Sequence, residues 1–172
     1  MSGAISQIQV VYDPEEDRIL FRLNSTEQQQ FRFWLTRRYT ILLLKVLAEH
    51  LDKDPDVTVQ GTPTAREAVR SFKQEEAVRN ANYAESFRED ANELPLGQDV
   101  LTAYRLSYSV KNGILHLGIQ PKEGQGINMA INQEINSSFT QLLLGAAGKG
   151  EWKLDSKDIS IQPAGQDNIV IN

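Results

Sequence analysis

The chain has 172 residues, 40% of them apolar, with a formal net charge of −5 and no cysteine. That size suits a buried core in one domain or in two intertwined halves, while the missing thiols exclude disulfides, thiol catalysis and thiolate metal sites. The acidic balance argues against a generally basic nucleic-acid binder, and with no run of about 18 apolar residues and no leader pattern a soluble, cytoplasmic protein without membrane contact is expected.

Taken in order, Ile8, Val10 and Tyr12 alternate as a strand, and Asp13-Pro-Glu-Glu-Asp17 is a polar turn with Pro fixing φ. Ile19, Phe21 and Leu23, then Phe31, Phe33 and Leu35, predict two further strands. From about Thr36 to Leu51 the spacing becomes helical, through Tyr39, Leu43, Val46 and Leu47, with Leu42 and Leu44 widening the apolar face. Asp56-Val-Thr-Val-Gln60 reads as a short fourth strand. Thr64-Ala-Arg-Glu67 has the capping-box pattern and predicts a charged connector helix to about Ala91.

The pattern then repeats. Residues Ile8 to Leu51 lie over Tyr104 to Ala147 at one offset (104 − 8 = 96) without a gap. Leu115, Leu117 and Ile119 take the place of the second strand, Ile127, Met129 and Ile131 that of the third. Ile135, Phe139, Leu142 and Leu143 take the helix, with Ser138 and Thr140 in place of the extra leucines, so this helix is expected nearer the surface. Asn112-Gly113 is a hairpin turn in which both residues accept positive φ, and Asp158-Ile-Ser-Ile-Gln162 resembles Asp56 to Gln60. The expected architecture is α+β: two strand-strand-strand-helix-strand copies about a pseudo-twofold, in a mostly antiparallel sheet or partly open barrel packed on two helices, with a long connecting helix. The boundaries are residues 1–61 for the first copy, 62–98 for the connector and 99–172 for the second copy with its terminal strand, both sharing one core.

Function is sought where the copies differ. Arg22, Arg32 and Trp34 alternate with the core residues of the first copy, and Arg37 and Arg38 open its helix; guanidinium groups beside an indole can hold a phosphate backbone and stack a base. The second copy has Gly118, Asn128, Ala130, Gln133 and Glu134 there. The favoured expectation is that the connector covers this face, with Phe72 or Phe87 near Trp34 and glutamates paired to the arginines. Phe72, Tyr83 and Phe87 form a partly apolar connector stripe, and Ile169, Val170 and Ile171 a terminal strand that either closes the second sheet or is offered to another chain. Gly124-Gln-Gly126 lies between two strands, not between a strand and a helix, and is read as a loop. His50, near a helix C-terminus where a cation is favourable, and His116, on an outward strand face, lack ligand spacing. The acidic turn at Asp13 lacks the glycine pivot of a calcium loop. No metal, cofactor or catalytic residue is therefore expected.

Antiparallel strands running into a helix, as in Gly126-Ile-Asn-Met-Ala-Ile131 and the helix after it, are loosely similar to the Whirly and transcription-coactivator folds. That resemblance implies single-strand binding, although those families place more strands before each helix and this chain is acidic. The expectation is a non-catalytic protein-interaction or assembly module, with a protein partner or self-association. Single-stranded nucleic acid on the Arg and Trp face is the alternative.

Overall fold

The computed structural model describes residues 1, 3–80, 86–89, 93–155 and 169–171, the last three by their backbone. Strands β1 (Ile5–Asp13), β2 (Arg18–Ser25) and β3 (Gln30–Leu35) form an antiparallel meander. Because side chains alternate across a strand, Ile19, Phe21 and Leu23 of β2 and Phe31, Phe33 and Leu35 of β3 all fall on one face, and all are buried. Helix α1 (Arg37–Asp52) follows at once, with the Thr36 side chain accepting from the amide of Tyr39 as its N-cap. Helices α2 (Pro55–Thr58) and α3 (Pro63–Asn80) then lead away.

The two-residue strand β4 (Leu101–Thr102) pairs parallel with β3. After it, β5 (Arg105–Lys111), β6 (Ile114–Gln120) and β7 (Ile127–Ile131) make a second antiparallel meander running into α4 (Gln133–Lys149). The terminal strand β8 (Ile169–Ile171) pairs antiparallel with β5. The protein is thus α+β, with two open sheets ordered β1-β2-β3-β4 and β7-β6-β5-β8, neither closed into a barrel. One apolar cluster draws on both sheets, α1 and α4, and the rings of Phe21 and Phe139 meet at 5.2 Å between centroids. Burying each such aromatic stabilises the fold by roughly 1.5–3 kcal/mol.

Four expectations need correction. Asp56 to Gln60 is not a strand. Asp54 accepts from the amide of Asp56 as N-cap and Pro55 opens the turn, the two residues that start a helix best. Only Val57 is buried, Val59 staying 75% exposed, and the counterpart at Asp158 to Gln162 lies outside the described residues. The connector helix begins earlier than the capping box: Thr62 accepts from the amide of Ala65, and Pro63 takes the first helical position, where its missing N–H costs nothing. It is helical to Asn80, and residues 86–89 are not helical.

Third, the single offset fails in the first hairpin. Phe21 and Phe33 face each other as Leu117 and Met129 do, 96 residues on, but Phe21 faces Val10 whereas Leu117 faces Tyr108 (108 − 10 = 98). The turn after β1 is longer by two residues, because Asp13 pairs with Arg18 and Lys111 with Ile114. A slip of two keeps every side chain on its face, so the alternation alone did not reveal it. Last, α4 is the more exposed of the two helices, Leu144 among its exposed residues, but its polar positions do not mark a solvent face. Asn136 and Thr140 are buried and linked to each other, with Asn136 bonded to α1, and Ser138 donates to the Ala77 carbonyl of α3, so these polar residues face protein on both sides.

Candidate functional site

The strand registers place Gln9, Arg22 and Arg32 in one row on the outer face of the first sheet, with Val11, Leu20 and Trp34 in the next. Residues 86–89 lie over this face, and residues 93–98 run along its β3 side, with Glu93 bridged to Gln29. The Arg22 guanidinium sits 4.7 Å from the Phe87 ring centre, pairs with Glu89 at 2.5 Å and donates to Gln9 at 2.6 Å. Arg32 donates to the carbonyls of Gly97 and Gln98. Asn24 and Gln30, both buried, donate to the Arg88 carbonyl, whose amide donates to Gln7. Trp34 is stacked by Arg18, a partner that the sequence did not single out, at 4.8 Å.

The named residues are therefore only partly brought together. Arg22, Arg32 and Trp34 share a face, and Phe87 joins them. Arg37 instead donates to the Trp152 carbonyl at 3.0 Å, and Arg38 lies exposed beside it at the start of α1. Phe72 remains 61% exposed on α3. Tyr83 lies outside the described residues. Ile169 and Ile171 stand opposite Tyr108 and Leu106, so the terminal strand closes the edge of the second sheet.

A second surface was not anticipated. β1 ends the first sheet, and among the described residues no strand lies along its outer edge. Between that edge and α4 runs a groove of about 460 Å³, with Ile8, Val10, Ile135, Phe139, Leu142 and Phe87 among its walls. α4 runs beside β1, its C-terminal Gly150 lying against the Tyr12 ring. An edge strand carries unpaired N–H and C=O groups, and here they adjoin apolar side chains. Which strand lies at an edge depends on sheet order, to which alternation is blind.

The polar groups that are buried serve the fold. His50, with no exposure, directs Nε2 at the Gly113 carbonyl at 2.9 Å and Nδ1 at the Asn136 amide at 2.8 Å. Asn136 also donates to the Leu47 carbonyl and accepts from Thr140. This knot ties the end of α1 to the β5–β6 turn and to α4. Burial pushes the His50 pKa down, partly opposed by the bond to Gly113 and the charge of Asp54 and reinforced by Lys53. Burial thus disfavours the cation that a helix C-terminus would favour at this position. Tyr108 donates to Glu49 at 3.0 Å, and burial followed by that bond raises its pKa to about 12. Among the described residues no cluster of three or more His, Asp or Glu side chains could hold a metal ion, and no helix is long and apolar enough to cross a membrane.

No family model matches the sequence, and neither a curated protein nor a solved structure matches it.

Proposed function

We propose that the protein is a non-catalytic protein-interaction module, built from two copies of a strand-strand-strand-helix unit about a pseudo-twofold, and that its partner docks in the groove beside β1. The groove is the observation that carries the reading: about 460 Å³ of space where a strand edge that no strand of the described residues covers meets apolar residues of α4. The duplication is supported by matching details. Thr36 caps α1 through the Tyr39 amide, and Asn132, 96 residues on, caps α4 through the Ile135 amide. The helices are exchanged, α4 lying against β1 and α1 against β5.

Single-stranded nucleic acid on the face of Arg22, Arg32, Trp34, Arg37 and Arg38 has less support, because Arg22, Arg32 and Arg37 already bond to the chain itself. A fluorescence titration of Trp34 and Trp152 with labelled single-stranded oligonucleotide at ~50 mM salt tests the choice. The expected result is no change. Binding that falls steeply with salt and disappears in Trp34→Ala would replace the protein-interaction reading.

A further inference from the structure

We infer that the groove accepts an extended strand from a partner protein, paired antiparallel to residues 8–10 and carrying two apolar side chains, one residue apart, toward α4. The inference rests on the groove being the docking site, and it names the partner's chemistry. The reason lies in the other half of the molecule. Val10 faces Phe21 as Tyr108 faces Leu117, and Phe21 and Leu117 face Phe33 and Met129 in turn. Residues 8–10 therefore stand in the first sheet where residues 106–108 stand in the second. Along residues 106–108 lies β8, antiparallel, with Ile171 opposite Leu106 and Ile169 opposite Tyr108. Along residues 8–10 no strand is present among the described residues, and the groove runs there.

The chemistry of the occupant follows from the register. Residues opposite each other in an antiparallel ladder share a face, so a strand whose apolar residues stand opposite Ile8 and Val10 turns them toward Phe139 and Leu142. The residue between them stands opposite Gln9, on the face that carries Arg22 and Phe87. Main-chain bonds supply affinity without regard to sequence, and the alternate side chains supply selection. A second copy is a poorer occupant. Its own Ile-Val-Ile strand is already paired with β5. A symmetric pairing of two β1 edges has its twofold perpendicular to the sheet, which sets the two α4 helices side by side beneath the joint, in the space one strand needs.

The probe is a labelled peptide with the sequence of Gly165 to Asn172, which contains the strand Ile169–Ile171 that the equivalent edge takes, against a control carrying serine for both Ile169 and Ile171. Anisotropy reports affinity on the intact protein, and amide hydrogen exchange reports the place. Saturating peptide should slow exchange at residues 8–10, and the serine control and a Leu142→Glu protein should each weaken binding at least tenfold. The exchange comparison of the two peptides uses the wild-type protein, so it does not depend on that variant folding. No binding, or binding without slowed exchange at residues 8–10, as when the peptide displaces β8 from β5, overturns the inference. If light scattering instead shows a doubled mass that Leu142→Glu returns to one chain, a second copy fills the groove; the strand inference then falls while the interaction reading stands. Neither peptide protection nor a mass sensitive to Leu142 removes both.

Discussion

The knot around His50 makes a defined contribution to the acid stability of the protein. The Gly113 carbonyl can only accept, so Nε2 carries the proton; the Asn136 amide nitrogen can only donate, so Nδ1 must be bare. Protonating Nδ1 sets two donors face to face at 2.8 Å in a site without water exposure. The folded-state pKa therefore lies below the ordinary 6.5. With the folded value depressed, the unfolded chain binds the proton first as pH falls. The stabilisation is fully present above pH ~6.5 and is lost on descending from there toward the lowered folded value, at no more than about 1.4 kcal/mol per pH unit for one proton. Urea unfolding at pH 7.5, 6.0 and 5.0, for the wild type and His50→Gln, measures it. The wild type should lose stability across that window more steeply than the variant, although the variant is the less stable of the two at pH 7.5, where its amide cannot reproduce both ring bonds. Equal slopes would refute the tautomer and the cause assigned to the shift.

Two further outcomes follow from close contacts. A methyl group at Gly150 would stand 2.7 Å from the Tyr12 ring and 3.1 Å from the Trp152 indole nitrogen, so Gly150→Ala should lower stability by about 1–3 kcal/mol through overpacking and alter the near-UV dichroism of the Tyr12 and Trp152 pair; an unchanged urea midpoint would contradict it. Phe87→Ala removes the ring beneath the Arg22 guanidinium, so the Arg88 amide, which donates to Gln7 at 3.0 Å, should exchange faster while global stability falls by at most about 2 kcal/mol; unaltered exchange at Arg88 would show that residues 86–89 are held by something else.

Several features were legible before any tertiary contact was known. Alternation in β2, β3, β6 and β7 assigned Ile19, Phe21, Leu115 and Leu117 to the core face, since a period of two leaves only one face to bury. Asn112 and Gly113 both adopt positive φ, as the hairpin turn requires. The start of α2 is written locally in Asp54-Pro55, an N-cap followed by proline at the first helical position, whereas Val57 and Val59 by themselves alternate as a strand does. A ring and a carboxylate set against Arg22 were expected from the connector, and Phe87 and Glu89 supply them from a segment that is not helical.

By itself, then, the sequence determined which apolar strand residues face the core, where the meanders run and which turns join them, because these depend on local periodicity and backbone preference. Only the tertiary structure decided that β4 joins the first sheet in parallel, that β8 closes the edge of β5, and that β1 stands at the end of the first sheet among the described residues. Sheet order is fixed by pairing between residues far apart in the chain, and two strands with the same alternation carry no mark of which one will stand at the edge.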